Sequence, residues 1–156
     1  MCDVVAPLVG DERGVAFQCP PTLRVQLPSE RAYTARHVDA DYPGHQGEEI
    51  NFWIPLSDGV RGNNSLWVES APGAGDLKPL ELRYGEAFRF DGGHQAHECK
   101  ANDTGDTRVS IDFRVIARSR WRDEFGGRMG AYPCETTPPL ASSQTGGLPS
   151  LRPWDP

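Results

Sequence analysis

The chain carries four histidines in 156 residues, His37, His45, His94 and His97, and their neighbours decide what chemistry they can do. His37 stands two residues before Asp39 in AYTARHVD, residues 32 to 39, a run that reads as a strand. Residues two apart on a strand face the same side, so an imidazole and a carboxylate converge on one point where a divalent cation can sit. A third ligand from a distant strand would complete a face of two histidines and one carboxylate and leave adjacent coordination positions open. Spacing alone does not choose between Asp39 and Asp41, nor between His94 and His97. Two residues at fixed spacing also occur by chance on many surface strands.

A second motif narrows the chemistry. Arg108 lies eleven residues after His97, and Arg108-Val109-Ser110 places a guanidinium and a hydroxyl on one face of a strand. A planar guanidinium offers a two-point grip to a carboxylate, and a hydroxyl beside it adds a donor, so the pair suits the far carboxylate of a dicarboxylic co-substrate. For an isolated arginine the plainer reading is a surface ion pair, here with Asp112.

These groups need strands to hold them, and the chain supplies them. TLRVQL (22 to 27) alternates apolar and polar residues up to Pro28, and INFWIPL (50 to 56) is a β-branched and aromatic run typical of a buried strand. SLWVES (65 to 70), PLEL (79 to 82), EAFRF (86 to 90), HECKA (97 to 101) and TRVSIDFRVI (107 to 116) follow, separated by Gly, Pro, Asn and Asp turns. About eight short strands with no helix of three turns or more predict an all-β fold, a double-stranded β-helix or jelly roll. The expected organisation is one domain, with a loosely attached leader over 1–20, the jelly roll over 21–118, and a C-terminal extension over 119–156. Residues 119 to 127 can hold a helical turn, the Pro-, Ser- and Gly-rich end suits a surface tail, and Trp154 can anchor it.

Composition bounds the partners. Sixteen basic against 22 acidic residues give a net charge of -6, which opposes binding to nucleic acid or an anionic membrane. No apolar run reaches the roughly 20 residues that span a bilayer, and the first residues lack a basic segment, so a soluble cytoplasmic protein is expected. Cys2, Cys19, Cys99 and Cys134 are scattered and read as reduced thiols.

RHVDADYPGHQGEEINFWIPL, NNSLWVES, YGEAFRF and HECKANDTGDTRVSIDFRVI together resemble the Fe(II)- and 2-oxoglutarate-dependent oxygenases. They are most similar to small proteins of streptomycin-type aminoglycoside biosynthesis, and more distantly to phytanoyl-CoA hydroxylase-like enzymes. The resemblance runs over about residues 22 to 134. It implies that His37, Asp39 and His97 hold Fe(II), that Arg108 with Ser110 receives 2-oxoglutarate, and that Asn51 and Trp53 line the co-substrate pocket. It implies a dioxygenase, most simply a hydroxylase, acting with dioxygen on a small polar metabolite such as an amino sugar, cyclitol or amino acid. The leader is shorter than such enzymes carry, so helices that buttress the outer sheet are expected to be missing, and PGAGD stands where distant relatives have Pro-Gly-Ser-His. Two other readings fit a jelly roll: a cupin-like metal enzyme that does not use 2-oxoglutarate, with His45 and Glu48 as rival ligands, and a non-catalytic binding module. The cupin reading lacks its second motif, since Gly92-Gly93-His94 has no preceding proline. Open sheet edges also lead to an expectation of homodimers.

Overall fold

A computed structural model describes residues 2–11 and 13–122, with the side chains of residues 2–4 left out of account. In chain order the elements are α1 (Cys2–Val9), β1 (Val15–Phe17), β2 (Thr22–Gln26), β3 (Ala32–His37), β4 (Ile50–Pro55), β5 (Trp67–Val68), β6 (Lys78–Pro79), β7 (Phe88–Phe90), β8 (His97–Ala101) and β9 (Arg108–Ala117). All strand pairs are antiparallel. They form a five-stranded sheet, β1-β9-β4-β7 with β2 also on β9, and a four-stranded sheet, β3-β8-β5-β6. This is the expected jelly roll.

β9 is the spine of the larger sheet. Its ten residues pair with β1 and β2 along one side and with β4 along the other. Strand alternation divides it by chemistry: Phe113 and Val115 face an outer apolar cluster, while Arg108, Ser110, Asp112 and Arg114 face the interior between the sheets. β4 divides in the same way, with Phe52 outside and Asn51 and Trp53 inside. Pro55 ends β4 beyond the part of the strand that pairs with β7, where its missing N–H costs that neighbour nothing.

Two apolar clusters result. Trp53, Val60, Leu66, Val68, Leu80, Leu82, Phe88, Phe90 and Cys99 form one buried cluster. Val5, Val15, Phe52, Phe113 and Val115 form the outer cluster, where Phe52 and Phe113 stack at 5.4 Å.

The N-terminal segment differs from the expected loose leader. Val15–Phe17 is a paired strand of the larger sheet, and Val5, Val15 and Ala16 are buried. The helix α1 lays Val5, Ala6, Leu8 and Val9 on the outer face of the sheet and ends at Gly10, whose φ of 70° and N–H bond to the Ala6 carbonyl cap it. A short helix therefore does buttress the outer sheet, because Phe52, Phe113 and Val115 leave an apolar surface that must be covered. Eight residues are too few for a helical pattern to stand out in sequence.

At the other end, Arg118–Arg120 forms a 3-10 turn, and the expected extension from residue 123 onward, including Trp154 and Cys134, lies outside the described residues. Cys19 and Cys99 are free thiols, as expected. No helix among the described residues is long and apolar enough to cross a membrane.

Removing the Phe52 ring opens a hole against Phe113, so Phe52→Ala should cost about 3–5 kcal/mol in urea unfolding. Leu23, 62% exposed on β2, is the control, and Leu23→Ala should stay within about 0.5 kcal/mol. Equal losses would contradict this division of the sheet.

Candidate metal centre

β3 and β8 are neighbours with His37 opposite His97, so their register alone brings two imidazoles together. The ring centroids are 4.3 Å apart. A register shift between Thr34 and His37 re-aims the end of β3 toward the interior. Asp39 does not lie on the strand, as the alternation argument assumed, but opens a 3-10 turn over Asp39–Asp41. Val38 is still extended (φ -113°, ψ 146°), which keeps the strand-like reversal of sides between His37 and Asp39. The Asp39 N–H donates to the Gly92 carbonyl at 2.8 Å, fixing the turn against the loop after β7.

Asp39 Oδ1 lies 3.6 Å from His37 Nε2 and 3.5 Å from His97 Nε2. Ligand atoms from the three residues all fall within 4.8 Å of one another, the one such grouping among the described residues. His37 Nδ1 faces the Ala35 carbonyl at 2.7 Å and His97 Nδ1 the Gln95 carbonyl at 3.0 Å. A carbonyl only accepts, so each Nδ1 carries its hydrogen and each Nε2 is left for a metal. The trio also satisfies a donor set of neutral imidazoles and one carboxylate for a divalent cation with three positions to spare.

Asp39 Oδ2 is occupied differently: it accepts from Asn51 Nδ2 at 2.8 Å and from Arg114 Nε at 2.9 Å. Arg114 reaches on to Gln18 Oε1 at 3.1 Å and lies 3.7 Å from Glu49 and 3.9 Å from Asp112. Asp112 is paired in turn with Arg24. Burial by itself would raise the Asp39 carboxyl, but the facing His37 and His97 imidazoles, the Arg114 hydrogen bond and the Arg114 charge outweigh it and hold the group far below the usual carboxylate range. His37 is raised by the facing Asp39 carboxylate, with burial opposing and the Ala35 carbonyl assisting.

Beside the metal site, Arg108 is wholly buried. Its Nη1 reaches Cys99 Sγ at 3.6 Å, while Nε and Nη2 have no partner, nor do Ser110 Oγ and Trp53 Nε1. The guanidinium carbon sits 5.4 Å from the Trp53 ring. Arg108 and Ser110 do not themselves line the cavity beside the histidines; Cys99 and Trp53, which Arg108 touches, do. The cavity is lined by His37, Asp39, His97, Asn51 and Trp53, with Tyr42, His45, Arg24, Glu98 and others on its remaining walls.

Several expectations are thereby sorted. Asp41 is exposed in the 3-10 turn, and His94 is exposed and paired with Asp91 at 3.0 Å, so neither joins the trio. His45 pairs with the buried Glu49 at 2.8 Å, not with Glu48, whose carboxylate meets Arg122 at 3.2 Å. The rival pair of His45 and Glu48 is therefore not assembled. Asn51 lines the cavity and donates its hydrogen bond to Asp39. Arg114 and Gln18 went unnoticed in the sequence. Arg114 was within reach, because it continues the alternation of Arg108, Ser110 and Asp112 on the inner face of β9. Glu69 was also missed: its buried carboxylate accepts N–H bonds from Gly73, Gly75 and Ala96 and pairs with Arg36, fixing the PGAGD loop beside the segment that leads into His97.

No protein-family model matches the chain. The sequence is similar to the streptomycin biosynthesis protein StrG of Streptomyces griseus. Identity is 39% over 128 residues, covering 76% of this chain and 60% of StrG, so the chain spans about three fifths of that relative's length. Among solved structures, the non-haem monooxygenase ThoJ has the same fold. Its apo form superposes with a TM-score of 0.57 at 19% identity, over 72% of this chain and 50% of ThoJ. The ThoJ-Ni complex gives 0.58 at 20% identity, over 97% of this chain and 60% of ThoJ.

Metal binding should expel a proton from His37. Because that imidazole is raised, it holds its proton to higher pH than usual, so affinity falls as pH drops through the raised value and levels off above it. Calorimetric Zn(II) titrations in two buffers should show proton release that is largest at low pH and fades as pH rises through the raised value. Release independent of pH would contradict the assignment. His37→Ala, Asp39→Ala and His97→Ala should each abolish tight binding, whereas His94→Ala should retain it.

Proposed function

We propose that this chain is an Fe(II)- and 2-oxoglutarate-dependent oxygenase, most simply a hydroxylase of a small polar metabolite in a biosynthetic pathway. The observation that carries the proposal is the buried Arg108 with two unpartnered guanidinium nitrogens beside the unpartnered Ser110 hydroxyl and Trp53 indole N–H. A buried cation without a counter-charge is costly, and a contact with a neutral thiol does little to offset it. A dicarboxylic acid reaching from the metal site past Cys99 and Trp53 would give the guanidinium the counter-charge it lacks. That StrG is a streptomycin biosynthesis protein and ThoJ a non-haem monooxygenase with a nickel complex supports this reading.

In this reading His37, Asp39 and His97 hold the metal on one side, and Arg108, Ser110 and Trp53 hold the far carboxylate of 2-oxoglutarate. When bound, the Fe(II) and 2-oxoglutarate supply the oxidising chemistry on dioxygen. The protein keeps the imidazoles in one tautomer, keeps Asp39 ionised, and shields the cavity with Trp53, Leu66 and Phe90. Tyr42, His45 and Glu98 line walls left to the substrate, whose proposed classes are amino sugars, cyclitols and amino acids. A cytoplasmic location and a homodimer belong to the same proposal.

Arg108→Lys keeps the charge and loses the planar two-point grip, in which charge-assisted hydrogen bonds are worth about 1.5–3 kcal/mol each. Affinity for 2-oxoglutarate should fall at least about tenfold, as followed by the metal-to-ligand absorption band of anaerobic Fe(II) protein, while Fe(II) binding is retained. Equal affinities would remove the clamp, and absence of the band in the unaltered protein would remove the 2-oxoglutarate reading.

A further inference from the structure

Asp39 has one oxygen turned toward the imidazoles and one held by two donors, and the residue that allows this is a glycine in a turn. Asn51 stands opposite Arg114 on β9 and opposite Phe90 on β7, so register places the two donors of Asp39 Oδ2 side by side. Two residues after Phe90 comes Gly92, whose carbonyl receives the Asp39 N–H. A Cβ at Gly92 would lie 2.2 Å from Asn51 Nδ2, 2.5 Å from its Cγ and 2.8 Å from its Oδ1. Those separations are far inside van der Waals contact, so the Asn51 amide occupies the space a side chain at position 92 would need.

Gly92 is absent from the glycines with positive φ. Its backbone conformation is therefore no bar to alanine, and the demand for glycine there is a demand for room. The room is used by the amide group that meets Asp39. A carboxylate can only accept, so Nδ2 is the atom that must face it, and an Asn51 pushed aside by a methyl group would release half of the restraint on Oδ2.

We propose that Gly92, acting through Asn51, is a positioning residue of the metal centre: it leaves the space in which Asn51 joins Arg114 on Asp39 Oδ2, so that Asp39 presents Oδ1 alone. The Asp91-Gly92-Gly93 turn thus serves the metal site from outside its ligand set. Partners of this kind, one shell beyond the ligands, typically carry 10- to 100-fold in metal affinity (roughly).

The proposal rests on the metal assignment and not on 2-oxoglutarate, so metal alone tests it. Co(II) affinity and the visible spectrum of bound Co(II) would be measured for the unaltered protein, Gly92→Ala, Asn51→Ala and the double variant, with apo melting temperatures alongside. Gly92→Ala should weaken Co(II) binding by about 10- to 100-fold and alter the Co(II) bands in the same sense as Asn51→Ala. The double variant should bind no more weakly than Asn51→Ala, because with the amide gone the methyl group has space. Unaltered Co(II) affinity in Gly92→Ala would overturn the proposal, as would a double variant weakened by the product of the two single effects. Should Gly92→Ala fail to fold, recovery of folding in the Asn51→Ala background supports the proposal, and failure in both overturns it.

Discussion

A carboxylate that is 2% exposed must be compensated, and the compensation of Asp39 organises the molecule. Its donors come from β4 (Asn51) and β9 (Arg114), and the imidazoles it faces come from β3 and β8. Asp39 therefore joins the two sheets across the interior. Through Arg114 the tie reaches Gln18, just after β1, so the N-terminal segment is bound to the centre as well as to the outer apolar cluster. Trp53, Leu66, Phe90 and Cys99 belong to the interior apolar cluster and also line the cavity, so the trio sits against apolar packing.

The two buried charges of the interior are treated in opposite ways. Asp39 is oversupplied with donors, which fixes its ionisation and its orientation before any metal arrives. Arg108 is undersupplied, with its nearest polar contact a thiol sulfur. In a stable fold a satisfied network lends rigidity, whereas an unsatisfied cation marks a place where something else completes the set. The pairing of a His-Asp-His trio with an undersupplied buried guanidinium is what separates this jelly roll from a purely structural sandwich.

Much of this was legible in the sequence, for identifiable reasons. Strands with strong alternation were clear: HECKA became β8 with the same bounds, and Arg108 to Ala117 carried its polar and apolar faces as the period of two requires. The His-x-Asp pair converged even though Asp39 left the strand, because one extended residue at Val38 preserves the reversal of sides. What stayed hidden was tertiary. α1 and β1 are too short for a periodic signal, spacing left His94 and His97 open so that only the resemblance chose His97 where the structure shows register with His37, and Glu49 replaced Glu48 as the partner of His45 because Glu49 is the buried one. The steric role of Gly92 has no sequence signature at all, since a glycine between Asp91 and Gly93 reads as an ordinary turn.

The proposed function puts a metal on His37, Asp39 and His97 and the far carboxylate of a dicarboxylate on the buried Arg108, behind Cys99 and Trp53 of the cavity wall. A crystal structure of the protein grown without oxygen with Mn(II) and 2-oxoglutarate tests both halves at once. The account predicts the ion bound by the two Nε2 atoms and Asp39 Oδ1, with the far carboxylate of 2-oxoglutarate hydrogen-bonded to the now unpartnered nitrogens of Arg108. An ion bound elsewhere, or 2-oxoglutarate seated with Arg108 still facing only Cys99, would contradict it.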